Sequence, residues 1–468
     1  MRLLILVLLL WSSSLALASS IPAPRIGKYL GYSRVVVDLP PDASYRIELK
    51  SLVMQVIFPG GTVVPDLKKI KQAECSGYTL EQQSGAGVLT LVTPQGVTSR
   101  SGWRLQVLPP GEGKLGSRVV IDLSGAFSDT SPLGVVGAFT FKPENLARTF
   151  SVVLDPGHGG TDPGARGVVQ EAQLNLSVST RVAQTLSEAG VEVTMSRTDN
   201  NVFSDNKQLD LRARADLATG KDLFVSIHAN ARPPVNALTT YGTEVYYFNP
   251  KHAAPVFVKP ANLPKLAGAS IGALPETSST TTTPFAVPEA SAETISTGSI
   301  STGSINSDPI STDPISSGSI STGSSQPDSV VDAVAPDPSL LSSPLETISP
   351  PIAPIETRPV ATPLNSSPSV PVKASQVQTK RSQASLKAAS SVLSHILGAT
   401  ASLNRGVRTA DYLVIKESKT PAILVEMGFV THPIEGAQLA DSNYLDRIAY
   451  GISRGVLEYL DNLPPDTR

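Results

Sequence analysis

Cysteine is almost missing from this chain. The one cysteine, Cys75, cannot close a disulfide within the molecule. An exported protein ordinarily meets an oxidising compartment, so stability has to come from packed cores or bound metal. Cys75 then reads as a small buried residue and not as a nucleophile. Aromatic residues are sparse, at 5%, while Pro and Gly number 39 and 35, a balance that points to long linkers beside compact domains. Neither sign of charge dominates. A formal net charge of −2 gives no basis for a nucleic-acid partner. Long apolar runs are lacking too. The run at residues 3–11 follows Arg2 and precedes Ala16-Leu17-Ala18, the layout of a secretory signal peptide (residues 1–18) cut after Ala18. It is too short to span a bilayer, so no transmembrane helix is expected in the mature protein. No cysteine stands near the cut to take a lipid.

What is there divides into four stretches, and a length of 468 residues predicts two or three domains. Residues 24–143 carry short β-branched runs split by Gly and Pro, at 32–39, 53–58, 88–93, 103–107 and 118–123. That spacing predicts an all-β sandwich, and the lack of a catalytic constellation makes it a binding module. Arg34-Val35-Val36-Val37-Asp38-Leu39 recurs as Arg118-Val119-Val120-Ile121-Asp122-Leu123, which suggests two equivalent strands of a pseudo-symmetric sandwich. Residues 150–248 alternate apolar runs with helical patterns. Strands are expected at 152–154, 191–195, 223–227 and 242–248. Helices are expected at 171–189, with Leu174, Val178, Val182 and Leu186 on one face, and at 209–218, with Arg and Asp facing water. Residues 249–384 are Ser/Thr/Pro-rich, with isoleucines recurring every fifth position from Ile295 to Ile320. This composition predicts a disordered insert. Residues 385–462 resume the pattern, with helices at 385–403 and 444–460 and strands at 412–415 and 422–425. Too small to stand alone, they complete the domain begun at residue 150. The fold class is thus an α/β domain with a mostly parallel mixed sheet, preceded by the sandwich and interrupted by the insert.

The stretch VVLDPGHGGTDPGARG, residues 152–167, ends a strand in a glycine-rich loop. It lacks the Gly-Lys-Ser/Thr ending of a phosphate cradle. The glycines instead leave room beside His158 for a metal and a substrate. Sites in open α/β sheets lie beyond the carboxyl ends of strands. His158, His228 and Glu426 each follow such an apolar strand, and Glu171 opens the helix after the loop. Two histidines and a carboxylate form a common catalytic zinc set, and a further carboxylate can move protons between water and leaving group. The third ligand is Glu171 or Asp162, and His432 is a further candidate. Glu171 alone could simply be a carboxylate at a helix N-terminus. His228 could be a core histidine. Glu426 is hard to explain structurally, because burying a lone carboxylate is costly. His252 and His395 read as solvated or structural. A metal-free alternative pairs Asp155 with Glu426 as glycosidase carboxylates.

Asp155-Pro156-Gly157-His158-Gly159-Gly160, Ser226-Ile227-His228-Ala229-Asn230, Asn404-Arg405-Gly406-Val407 and Val425-Glu426-Met427-Gly428-Phe429 resemble four motifs of one family. It is the zinc-dependent N-acetylmuramoyl-L-alanine amidases of the amidase-3 class. The resemblance covers residues 150–248 and 385–460, and residues 24–143 resemble the AMIN domain that often precedes such enzymes. It implies that His158, Glu171 and His228 bind one Zn2+ and that Glu426 is the catalytic carboxylate. The implied substrate is peptidoglycan, cut between N-acetylmuramic acid and L-alanine for wall remodelling or daughter-cell separation, in the periplasm or cell envelope. Glu171 is followed by Ala172 where the family commonly has lysine. Some division amidases carry an autoinhibitory helix where the insert lies here, so an activator protein is a partner hypothesis. Two rival functions are a zinc hydrolase cutting within the stem peptide and an inactive wall-binding protein.

Overall fold

The structure, a computed structural model, describes residues 20–111, 113, 116–134, 149–263 and 372–464. The expected signal peptide and most of the expected insert, residues 264–371, lie outside the described residues. Among the described residues no helix is long and apolar enough to cross a membrane.

The first part is all β. Its strands are β1 (Arg25–Tyr29), β2 (Tyr32–Asp38), β3 (Arg46–Lys50), β4 (Val53–Pro59), β5 (Asp66–Lys69), β6 (Gly77–Gln83), β7 (Ala86–Val92), β8 (Trp103–Leu108) and β9 (Arg118–Leu123). They form two antiparallel sheets, ordered β1-β2-β9-β8 and β3-β4-β7-β6-β5. Alternation explains the core: Val35 and Val37 of β2 and Val119 and Ile121 of β9 are buried with Met54, Val56, Phe58, Leu89 and Leu91. Each such side chain contributes about 1.5–3 kcal/mol on burial. Cys75 is fully buried in the same core. The echoed hexamers are neighbours in one sheet, so that Arg34 faces Asp122 and Asp38 faces Arg118. An Arg-first, Asp-fifth pattern brings opposite charges together when two copies run antiparallel, and Arg34 Nε lies 2.7 Å from Asp122 Oδ1. Three of the strands without a clear apolar pattern, β1, β3 and β5, are sheet edges, where polar and charged residues discourage further pairing.

The second part comprises β10 (Ser151–Pro156), α1 (Glu171–Glu188), β11 (Glu192–Met195), α2 (Lys207–Asp216), β12 (Leu223–Asn230), α3 (Pro234–Ala237), β13 (Thr243–Tyr247), α4 (Val372–Thr400), β14 (Asn404–Thr409), α5 (Leu413–Glu417), β15 (Ala422–Phe429), α6 (Pro433–Gln438) and α7 (Ser442–Asp461). The sheet order is β11-β10-β12-β15-β13-β14. β10 pairs in parallel with β11 and β12, and β12 with β15, while β13 is antiparallel to β15 and parallel to β14. This is the mixed, mostly parallel sheet expected. Leu174, Val178, Val182 and Leu186 of α1 are buried with Val392 and Ile396 of α4 and Ile448 and Val456 of α7. Val414 and Ile415 of α5 join Val153, Phe224 and Leu424 in a separate cluster.

Three local expectations are corrected. Residues 412–415 are not a strand but lead into and begin α5, since a four-residue apolar run fits a buried helical turn as well as a strand. The strand β14 was hidden by its arginines. On α2, Asp210 and Arg214 do not face water; they are 5% and 2% exposed. Helix α4 also starts earlier than residue 385, and Val256 bridges to Val407 of β14.

The two parts touch through arginines. Arg100 pairs with Asp129 at 2.6 Å and donates to the Gly398 carbonyl at 2.6 Å. Arg447 donates to the carbonyls of Ala399, at 2.8 Å, and Ser131, at 2.5 Å. Cations thus sit at the C-terminus of α4, where the orphan carbonyls and the helix dipole favour them.

Candidate active site

The site is built at the carboxyl ends of β10, β12 and β15. The loop after β10 turns sharply, and His158 has φ 64°, a strained conformation for a residue with a side chain. Two buried arginines hold it there. Arg197 donates to the carbonyls of Pro156 (2.8 Å) and Gly157 (2.9 Å). Arg214 donates to those of Pro156 (3.0 Å) and His158 (2.9 Å). Arg214 is itself fixed between Asp155 (2.9 Å) and Asp210 (2.8 Å). Neither arginine was foreseen as part of the site. The only local hint was the Asp210–Arg214 spacing of four on a helix.

The glycines have a steric reason. A Cβ on Gly157 would lie 2.1 Å from His228 Nε2, and one on Gly164 (φ +65°) 2.6 Å from Glu171 Oε2 and 2.7 Å from His158 Cδ2. Only glycine allows the loop to lie against these three side chains.

His158 Nε2 is 3.1 Å and His228 Nδ1 2.9 Å from Glu171 Oε1, and ligand atoms of the three lie within 4.8 Å of one another. Zn–N and Zn–O bonds of about 2.0–2.2 Å subtend ligand separations on this scale, so the donor set fits a single ion. Asp162 Oδ2 is 2.9 Å from His158 Nδ1. That contact keeps Nδ1 as the donor to Asp162 and turns Nε2 toward the cluster, where it donates to Glu171 or, once deprotonated, can serve as a metal ligand. Lys207 in turn pairs with Asp162. Asp162 therefore stands behind a histidine and not among the three converging donors. Burial opposes ionisation of Glu171, but hydrogen bonds from both histidines outweigh it and hold the carboxyl far below its usual range.

Glu426 is different. It lies in register beside His228 on one side and Glu244 on the other. It is 7% exposed, and its Oε2 has no hydrogen-bond partner among the described residues. Burial, then the negative charges of Glu171 and Glu244, push its pKa well above the usual value. A cavity of about 380 Å3 is lined by the three clustered donors, Glu426, Asn230 and Tyr412. Within it stand a ligand triad able to hold a cation and one carboxyl group able to take up and return a proton.

The remaining candidates have other roles. Asp155 is 1% exposed and receives Ser196 Oγ (2.6 Å), Ser226 Oγ (2.7 Å) and Arg214. Fully paired, it is a strut. His432 caps α6, its Nδ1 accepting the N–H groups of Ile434 and Glu435 at 3.2 Å. His395 contacts the Ser391 carbonyl, and His252 is exposed near Asp411. Sequence reasoning missed Glu244, which is 1% exposed and bound by Arg405 (3.1 Å) and Arg408 (3.0 Å).

Residues 152–458 of this chain match the family described as N-acetylmuramoyl-L-alanine amidase. Among curated proteins, the chain is 40% identical over 104 residues to the N-acetylmuramoyl-L-alanine amidase AmiC of Neisseria meningitidis serogroup B, covering 22% of this chain and 23% of that protein. It is 34% identical over 105 residues to the amidase LytC of Bacillus subtilis, covering 22% and 20%. The aligned parts thus span about a quarter or less of those relatives. A solved structure of an N-acetylmuramoyl-L-alanine amidase from Clostridium difficile 630 is 22% identical, with a TM-score of 0.36, covering 67% of this chain and 98% of that one. Because the family match runs from β10 to α7 and takes in every residue of the cleft, the chain belongs to the amidase-3 family of N-acetylmuramoyl-L-alanine amidases.

Proposed function

We propose that the protein is a zinc amidase that hydrolyses the amide joining the lactyl group of N-acetylmuramic acid to L-alanine in peptidoglycan. His158, Glu171 and His228 would hold the zinc ion. When bound there, zinc supplies Lewis-acid polarisation of the carbonyl and lowers the pKa of water. The observation that carries the reading is the pairing, in one cavity, of this triad with an unpartnered buried carboxyl, Glu426. Its ionised form takes the proton of the attacking water and then gives it to the departing alanine nitrogen, so that the amine leaves neutral. Arg197 and Arg214 keep the His158 loop in its strained turn throughout.

The β-sandwich would hold the enzyme on the envelope, as an AMIN-like module, after export directed by residues 1–18. The role would be wall remodelling or separation of daughter cells. An activator protein acting through the insert remains part of this proposal, and deleting residues 264–371 tests it: unchanged activity on purified wall rules out autoinhibition.

The test of the activity is incubation of the mature protein with peptidoglycan, with and without chelator. The expected products are stem peptides with a free L-alanine amino terminus, absent after chelation and restored by zinc. New sugar reducing ends that survive chelation would overturn the reading. Wall that is bound but never cut would favour the inactive binding protein.

A further inference from the structure

Asn230 lies two residues beyond His228 on β12, on the same face of the strand, and lines the same cavity. Its amide is held in one orientation. Asn230 Nδ2 donates to Glu244 Oε1 at 2.9 Å. A carboxylate only accepts hydrogen bonds, so the group facing Glu244 must be the NH2, and the oxygen must face away from it. Glu244 cannot yield, because Arg405, Arg408 and the Tyr246 hydroxyl (3.0 Å) also bind it. Among the described residues, the one side-chain hydrogen bond of Asn230 is this bond to Glu244. Two arginines, a tyrosine and a buried glutamate thus hold a neutral acceptor at the cleft.

We propose that Asn230 is a substrate-binding residue whose Oδ1 accepts the first peptide N–H beyond the scissile amide, the N–H that follows L-alanine in the stem peptide. The proposal rests on the amidase reading above. Two residues along a strand is about 6.6 Å, close to one extended residue plus one N–H···O bond of about 2.9 Å. The side is set by Glu426. That carboxyl protonates the departing amine, so the leaving peptide lies toward β15, and Asn230 sits opposite Phe429 at the end of that strand. An acceptor there would register the peptide without adding charge next to Glu426 and Glu244.

The experiment compares a synthetic muropeptide with its analogue in which the peptide bond after L-alanine is an ester. The ester removes the N–H and little else. The native holoenzyme should lose about tenfold in kcat/KM on the ester. Asn230→Ala should lose about as much on the amide and show no further loss on the ester. A purely structural role for Asn230 cannot produce that non-additivity. An ester penalty as large in the variant as in the native enzyme overturns the inference, including the alternative in which Asn230 binds the sugar's N-acetyl group instead. Zinc content and thermal melting establish that the variant is folded. Should Asn230→Ala fail to fold, Asn230→Ser, whose hydroxyl is too short to reach, is put through the same cycle. If the native protein cuts neither compound, it is the amidase reading that fails, and calorimetric affinities of both compounds for native and variant proteins apply the same cycle to binding alone.

Discussion

Asp155 and Glu426 stand in two strands of one sheet, separated by β12, and both are almost wholly buried. In sequence both are carboxylates at or near strand ends, and the glycosidase alternative pairs them. The structure gives them opposite chemistry. Asp155 has an arginine and two hydroxyls around it. Burial opposes its ionisation, yet Arg214, Ser196 and Ser226 hold its pKa below the usual range. Glu426 has one oxygen with no partner and two carboxylates for neighbours, and its pKa moves the other way. A buried carboxylate supplied with donors is part of the framework. One denied them is costly to the fold and is therefore a mark of function. This contrast also disfavours the glycosidase alternative, because Asp155 is enclosed by its partners.

Substitution should separate the two roles most sharply. Glu426→Gln is expected to lower hydrolysis about 10²–10⁴-fold while leaving the unfolding midpoint unchanged or higher, since a neutral group of the same shape replaces a disfavoured charge. Asp155→Asn should do the reverse. It leaves Arg214 short of a counter-charge in the interior, at about 3–5 kcal/mol of stability. Urea unfolding and turnover per folded molecule, measured on both variants, decide the matter. Equal destabilisation by both would break the comparison.

How much of this could be read beforehand follows the same division. His158, His228 and Glu426 were legible because each ends an apolar strand, where an isolated polar residue stands out. Helix α1 was legible from its apolar face, and the loop glycines from their density. Arg214 was not, because its partner Asp155 is 59 positions away and the arginines of α2 look like a solvated face. Glu244 was lost for a similar reason: Arg405 lies 161 positions on, across the insert. Choosing between Glu171 and Asp162 required the loop to be folded, which puts one among the converging donors and the other behind His158. The family resemblance supplied that choice before the geometry did.

A second pair of buried groups sharpens the comparison at smaller cost. His432 and Glu435 both sit at the start of α6; His432 Nε2 has no hydrogen-bond partner among the described residues, while each Glu435 oxygen accepts one backbone N–H. Burial lowers His432 from 6.5 to about 4 and raises Glu435 from 4.5 to about 7, in the latter case against the backbone donors of Phe429 and Gly242 and the charge of Arg405. The signs oppose. Between pH 4 and 6.5 the unfolded state binds the His432 proton and the native state does not, so that contribution is present above pH 6.5 and lost as pH falls toward 4. Between 4.5 and 7 the native state holds the Glu435 proton, so that contribution is present below 4.5 and lost as pH rises through 7. Each is worth about 3 kcal/mol at most, and together they nearly cancel. His432→Asn should therefore make the protein more stable as pH is lowered from 7 to 5, and Glu435→Gln less stable. Parallel pH profiles for the two variants would show that neither group titrates as its burial requires.

The smallest effect expected is at the edge of the cluster, where exposure returns. Asp162 orients His158 from outside the triad, and Asp162→Ala should weaken zinc binding about 10–100-fold. Lys207, 59% exposed, pairs with Asp162, and a solvent-exposed partner of this kind contributes about 0–1 kcal/mol. Lys207→Ala should accordingly change zinc affinity less than about fivefold, with the difference shrinking in added salt. Competition against a chromophoric chelator measures both. A loss at Lys207 as large as at Asp162 would mean that the cluster depends on long-range charge more than on the tautomer of His158, and that a hydrogen bond at 2.9 Å matters less here than the field around it.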